Sequence, residues 1–241
     1  MQAVLFICHG SRRKTSCDEV HSFMEDCQKE FSHIPIVEYC FLELAAPSIE
    51  EGFRRCVERG AANITAIPFL LLTAGHVMYD IPHELHQMQV IYPEIKITYG
   101  RPIGVTDKMT RLLVDKVQET KLPAQDMHVV VVGRGSRITE VREQLDTIVA
   151  PLKSVYPFVS VSYLTACEPS FTEGLAQALR TECSSIVVVP YMLFSGVLTE
   201  SIAKTVDQYN EQHKSVVITS PLATHPNVKA ALLDRVAEAM G

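Results

Sequence analysis

Leu5-Phe6-Ile7-Cys8-His9-Gly10-Ser11-Arg12 and Val129-Val130-Val131-Val132-Gly133-Arg134-Gly135-Ser136-Arg137 are two versions of one motif. Each is a short apolar run closed by a polar turn that contains glycine. An unbroken apolar run of this length reads as a strand covered on both faces, as in a parallel sheet. The correspondence continues in order along the chain. Phe41-Leu42-Glu43-Leu44-Ala45-Ala46-Pro47-Ser48 is echoed by Tyr163-Leu164-Thr165-Ala166-Cys167-Glu168-Pro169-Ser170, and Glu51-Gly52 by Glu173-Gly174. Ile67-Pro68-Phe69-Leu70-Leu71-Leu72 is echoed by Val189-Pro190-Tyr191-Met192-Leu193-Phe194, with Gly75 and Gly196 following. The spacing is about 122 residues, far longer than a solenoid unit, so the chain reads as a duplicated domain.

Within the first copy, β-branched runs alternate with stretches of helical period, the pattern of an α/β domain with a mostly parallel sheet. Strands are expected over residues 4–8, 36–42, 64–72 and 95–99. A helix carries Val20, Phe23, Met24, Cys27 and Phe31 at three- and four-residue spacing. Further helices are expected to open at Pro47-Ser48 and at Ile81-Pro82, where proline suits the first turn, and over about 107–119. The polar stretch 120–126 reads as a linker. The expected domains are 1–122, carrying the chemistry, and 127–241.

The chain has 241 residues, 47% hydrophobic and 21% charged, enough apolar material for full cores and against disorder. Net charge is −6, and each half holds three more acidic than basic residues. Without a basic half or a polybasic run, partners such as nucleic acid or a membrane surface are not expected. No apolar run approaches the ~18 residues of a membrane span, and the first ten residues lack the features of a signal peptide. Cys8, Cys17, Cys27, Cys40, Cys56, Cys167 and Cys183 are odd in number and form no CxxC pair. That argues against zinc ribbons, Fe–S clusters and a disulfide framework, and for a reduced, cytoplasmic protein.

The differences between the copies nominate a site. Gly10/Gly135, Pro47/Pro169 and Pro68/Pro190 occur in both. His9 faces Arg134, Glu43 faces Thr165, and Gly75-His76 faces Gly196-Val197. A fold needs its glycines and prolines twice, whereas a single site needs its ligands once. All three nominees follow predicted strands, at the edge where α/β sheets form ligand crevices. Two imidazoles and a carboxylate suit Fe, Co, Ni or Zn with open coordination positions. Each residue alone has a plainer reading: His76 as a loop histidine, Glu43 as a helix-entry carboxylate favoured by the dipole, Ser11 as a cap for the next helix. The asymmetric repeat favours the joint site.

Other candidates carry less. His83 and His86, at i and i+3, read as an exposed helical face or an accessory metal contact. His21, His33, His128, His213 and His225 have no partner pattern and read as surface or core. Arg12, Arg13 and Lys14 are either a solvated run or carboxylate binders. Ser11, Arg12, Arg101, Arg134 and Arg137 are the candidates for substrate binding. Asp80 reads as a cap for the helix at Ile81.

The ordered set Cys8-His9-Gly10-Ser11-Arg12, Phe41-Leu42-Glu43-Leu44, and Pro68 through His76 with Asp80-Ile81-Pro82 resembles the class II tetrapyrrole chelatases, specifically the two-domain members that act on sirohydrochlorin. The likeness spans nearly the whole chain. It implies two Rossmann-like, chelatase-type halves facing across a cleft, and insertion of Fe²⁺ into sirohydrochlorin to form siroheme. It also implies that His9 and His76 handle the metal with Glu43 beside them. Sirohydrochlorin and the divalent ion are then the partners, the metal is a substrate, and no bound cofactor is implied. With both halves in one chain, a monomer is expected. Long cobalt-inserting members carry a His-rich tail and Fe–S cysteines that this sequence lacks, so iron is favoured over Co²⁺ or Ni²⁺.

The chemistry fits these residue types. Insertion must remove two pyrrole protons while the ion sheds ligands, and an imidazole of pKa ~6.5 can either hold an ion or accept a proton near neutral pH. Competing readings are a metal or tetrapyrrole carrier, a two-His-one-carboxylate oxygenase, and a histidine phosphohydrolase. The last is disfavoured because Cys8 stands where a phosphate-binding arginine is needed. No P-loop or GxGxxG is present.

Overall fold

The computed structural model describes residues 1–210 and 215–241, so His213 lies outside the described residues. The chain forms two four-stranded sheets in which every pairing is parallel. The first half contains β1 (Gln2–Cys8), α1 (Lys14–Glu30), β2 (Ile36–Phe41), α2 (Ile49–Glu58) and β3 (Asn63–Phe69). A π-helical turn (His76–Asp80), α3 (Ile81–Ile91), β4 (Lys96–Tyr99) and α4 (Asp107–Gln118) follow. The second half contains β5 (Met127–Gly133), α5 (Thr139–Val149), β6 (Phe158–Tyr163), α6 (Phe171–Ala178), β7 (Ser185–Pro190), α7 (Val197–Asn210), β8 (Ser215–Ile218) and α8 (Pro226–Met240). Strand order is β2-β1-β3-β4 in one sheet and β6-β5-β7-β8 in the other. The two α/β domains expected from the duplication are therefore present.

Alternation along β1 sorts its side chains to two faces. Ala3, Leu5 and Ile7 join Ile49, Phe53 and Cys56 of α2 and Ile81, Leu85 and Met88 of α3 in one buried cluster. The even-numbered residues face the other way, where the Phe6 ring meets Phe31 at 5.4 Å. Both faces being covered explains why β1 and β5 read as unbroken apolar runs. Helix α2 lies so close to the sheet that a Cβ on Gly52 would fall 2.7 Å from the Cys40 Cβ. In the second copy a Cβ on Gly174 would fall 1.9 Å from Ser162 Oγ.

The largest departures from the sequence expectation are at two boundaries. β3 stops at Phe69 rather than 72, because Leu70 and Leu71 turn their carbonyls to the Ile103 and Gly104 amides, at 3.0 and 2.9 Å. The helix expected at Ile81 is preceded by the π-helical turn at His76, and the two run on without a break. No helix among the described residues is long and apolar enough to cross a membrane.

The compact units are Met1–Gly104 with Lys229–Gly241, and Val105–Val228. Their limits are not those of the repeats, 1–122 and 127–241, because the last helix of each repeat is shared out differently. In the second unit, Thr110 of α4 donates to the Ile148 carbonyl at 3.0 Å, and buried Lys116 bonds Ser220 Oγ at 2.9 Å and Thr224 Oγ1 at 3.2 Å. In the first unit, Arg235 of α8 donates twice to the Ile103 carbonyl, at 3.0 and 2.7 Å.

Candidate metal centre

In the first unit, the chain leaves β1 towards β2 on one side of the sheet and reaches β4 from β3 on the other. Loops diverge at such a switch point, and a crevice opens at the C-terminal strand edge. His9 follows β1 directly, Glu43 follows β2, and His76 opens the π-helical turn after β3.

The backbone sets this meeting. The amides of Leu42 and Glu43 donate to the carbonyls of Cys8 and His9, at 2.8 and 3.1 Å, extending the β1–β2 ladder into the loops. Gly10 has φ +96°, and a Cβ there would lie 1.8 Å from the Glu43 carbonyl oxygen, so only glycine allows the approach. The second unit repeats the device: Thr165 N–H donates to Arg134 O at 3.0 Å, and Gly135 at φ +88° abuts the Thr165 carbonyl. The scaffold is thus duplicated, while its side chains are not.

One ligand atom from each of His9, Glu43 and His76 lies within 4.8 Å of the others. His9 Nε2 stands 3.6 Å from Glu43 Oε1. The two imidazole rings meet edge-on, with centroids 5.0 Å apart. His9 Nδ1 faces the Gly10 carbonyl at 3.1 Å, and His76 Nδ1 faces Asp80 Oδ2 at 2.8 Å. Asp80 only accepts, so the neutral His76 ring carries its proton on Nδ1 and presents the Nε2 lone pair, whereas His9 has an acceptor beside each ring nitrogen, the Gly10 carbonyl and Glu43. With His76 28% and His9 37% exposed, both remain reachable. Two nitrogen donors and one carboxylate, with room left open, fit a divalent transition metal.

The neighbours define the setting. Cys8 is buried, and burial pushes its thiol up. Tyr99 of β4 donates to the Val77 carbonyl at 2.9 Å and ties the π-helical turn to the sheet. Leu44, Met78 and Tyr79, close in sequence to Glu43 and His76, are exposed large apolar residues.

The remaining candidates divide. Ser11 does not cap α1, whose N-cap is Arg13; its hydroxyl instead accepts from the Arg13 amide at 3.1 Å. Arg12, Arg134 and Arg137 are exposed, the latter two on the second unit's loop after β5. Arg101 is paired with Glu238. Lys14 pairs with Asp18 at 2.8 Å. His83 and His86 are exposed, His83 meeting Gln87 at 2.9 Å, and neither joins the cluster. His21 contacts Tyr39, His128 contacts Ser160, and His225 contacts Asp115. His33 is exposed. Asp80 caps nothing: its backbone is already helical, and its carboxylate holds His76. Only the i, i+4 spacing of His76 and Asp80 carried a signal of that contact.

The family model CbiX matches residues 3–120 and 128–239. A protein of Priestia megaterium named sirohydrochlorin ferrochelatase is 39% identical over 239 residues, covering 98% of this chain and 90% of the relative. One of the same name from Bacillus subtilis is 36% identical, covering 98% and 91%. The solved structure of SirB from Bacillus subtilis with Fe³⁺ superposes with a TM-score of 0.91 at 35% identity, covering 99% of this chain and 95% of that one.

Proposed function

The chain belongs to the CbiX family, and on that premise we propose that it inserts Fe²⁺ into sirohydrochlorin, forming siroheme and releasing two protons. The observation that carries this reading is the convergence of His9, Glu43 and His76, with one ligand atom of each within 4.8 Å of the others. The names of the relatives in Priestia megaterium and Bacillus subtilis support the substrate and the metal.

His9 and His76 hold the incoming ion through Nε2 on one face of the macrocycle. A nitrogen that holds the ion cannot take a proton at the same moment, so the pyrrole protons fall to Glu43, 44% exposed and able to pass them to water. The metal arrives and leaves as Fe²⁺, and no oxidant or reductant enters. Ser11 and the exposed arginines Arg12, Arg134 and Arg137 are the proposed partners of the substrate's carboxylates; Arg101 must first leave Glu238. All seven cysteines are free thiols, which fits a reducing cytoplasm. Two copies of the domain in one polypeptide fit a monomer.

The test is anaerobic absorbance spectroscopy of sirohydrochlorin with catalytic amounts of protein and, separately, Fe²⁺, Co²⁺ or Ni²⁺. Many turnovers above the protein-free rate, fastest with Fe²⁺, are expected. A stoichiometric shift without turnover would make the protein a carrier instead. H9A and H76A should each lose most of the activity, and near-normal siroheme formation by either variant would remove that histidine from the mechanism.

A further inference from the structure

Asp80 is a fourth residue whose chemistry the second repeat lacks. When Gly75 is matched with Gly196, Ile81 falls on Ile202, both 0% exposed, and Leu85 falls on Val206, at 5% and 2%. In that register Asp80 falls on Ser201 and His76 on Val197. The backbone differs at the same place. The first copy has a π-helical turn of five residues, His76–Asp80, whereas α7 begins at Val197 as ordinary α-helix. π-Helical turns are rare and gather at functional sites. Here the turn spans the interval from His76 to Asp80 and no more.

Among the described residues the carboxylate's one side-chain partner is His76. As the residue preceding α3, Asp80 has φ −71° and ψ −50°, already helical, and its side chain makes no capping bond. Instead Oδ2 accepts from His76 Nδ1–H at 2.8 Å. An acceptor-only partner fixes the tautomer, stops the ring from flipping, and makes Nε2 more electron-rich. Metal-binding imidazoles are commonly oriented in this way by a carboxylate behind them.

We propose that Asp80 is a positioning residue that aims the Nε2 lone pair of His76 at the ion. The proposal rests on the reading of His9 and His76 as the residues that hold the metal, with Glu43 beside them. It places the extra turn geometry, the missing counterpart in the second repeat and the unused capping position under one cause.

The test uses the full chain and Co²⁺ alone, without tetrapyrrole, titrated anaerobically and followed by ligand-field absorption. D80A should bind Co²⁺ about 10- to 100-fold more weakly than the parent, with altered bands. D80N keeps an acceptor oxygen but loses the charge and gains an amide donor, so its affinity should also fall below that of the parent. Long-range ¹H–¹⁵N spectra of the metal-free protein should show His76 as the Nδ1–H tautomer in the parent and a mixture in D80A, a change that a merely structural role would not produce. H76A serves as the reference. If H76A weakens binding and D80A matches the parent in affinity and tautomer, Asp80 has no positioning role. If H76A itself binds Co²⁺ like the parent, the metal-site reading falls, and this inference with it.

Discussion

His128 shows what burial does to a histidine outside the site. It lies in β5 at 6% exposure, with Nε2 2.8 Å from Ser160 Oγ and a buried Nδ1 that has no partner among the described residues. Burial lowers its pKa to about 4, against about 6.5 in an unfolded chain. Between those values the unfolded state binds more protons, so stability falls as pH drops from about 6.5 towards 4 and levels off below. The whole shift corresponds to at most about 3 kcal/mol. Urea unfolding at pH 7 and pH 4.5 should show H128Q losing less stability on acidification than the parent; equal losses would refute the assignment. Sequence alone nominates His9, Glu43 and His76, because the second copy keeps the glycines and prolines around them and replaces these three. It does not separate His128 from His33, since the two differ only in tertiary burial. Nor does it reveal that Arg101 meets Glu238, a pairing made across most of the chain.

At the scale of elements, the repeat matched Ser48 and Glu51 with Ser170 and Glu173 but did not reveal the bonds these residues make. Ser48 and Glu51 form a reciprocal capping box at α2, with bonds of 3.2 and 2.7 Å, and Ser170 and Glu173 form its twin at α6, at 3.4 and 2.9 Å. S48A and S170A should each cost about 1 kcal/mol. Because the boxes lie in separate units, the double variant should lose the sum to within about 0.5 kcal/mol. Urea denaturation measures this, and a large departure from additivity would show that the two helices are coupled. The π-helical turn was not legible. Residues four apart are neighbours in α- and π-geometry alike, and what distinguishes this turn is an i→i+5 bond, from the Ile81 amide to the His76 carbonyl. The end of β3 was hidden because Leu70 to Leu72 are as apolar as a strand, while the carbonyls of Leu70 and Leu71 bond to the loop after β4.

For the whole molecule, duplication announced two domains, but descent and packing divide the chain at different points. Repeats are marked by matching sequence; compact units are marked by which helix fills which side of a sheet. The first unit draws on Lys229–Gly241, where Leu232 and Val236 are buried and Arg235 holds the Ile103 carbonyl. Ending the chain at Val228 removes two such side chains, each contributing roughly 1.5–3 kcal/mol, a large fraction of a typical domain's stability. Hydrogen exchange should then accelerate in β4 of the first unit, more than 100 residues from the cut in sequence, while β6 of the second unit keeps its protection. Loss confined to the second unit would overturn this division of the chain.

The Gly10 and Gly135 loops carry a consequence for how such a protein can change. In both copies the side chain after β2 or β6 is set in place by its own amide and by a glycine that lets the backbones touch, not by the side chain itself. Thr165 can stand where Glu43 stands without disturbing the loop beneath it. Inheritance therefore acts on two layers at different speeds: a mount that tolerates almost no revision, and an occupant that can be exchanged one residue at a time. A duplicated gene built this way can retire one reaction centre, or rebuild it for another ligand, without ever passing through an unfolded ancestor.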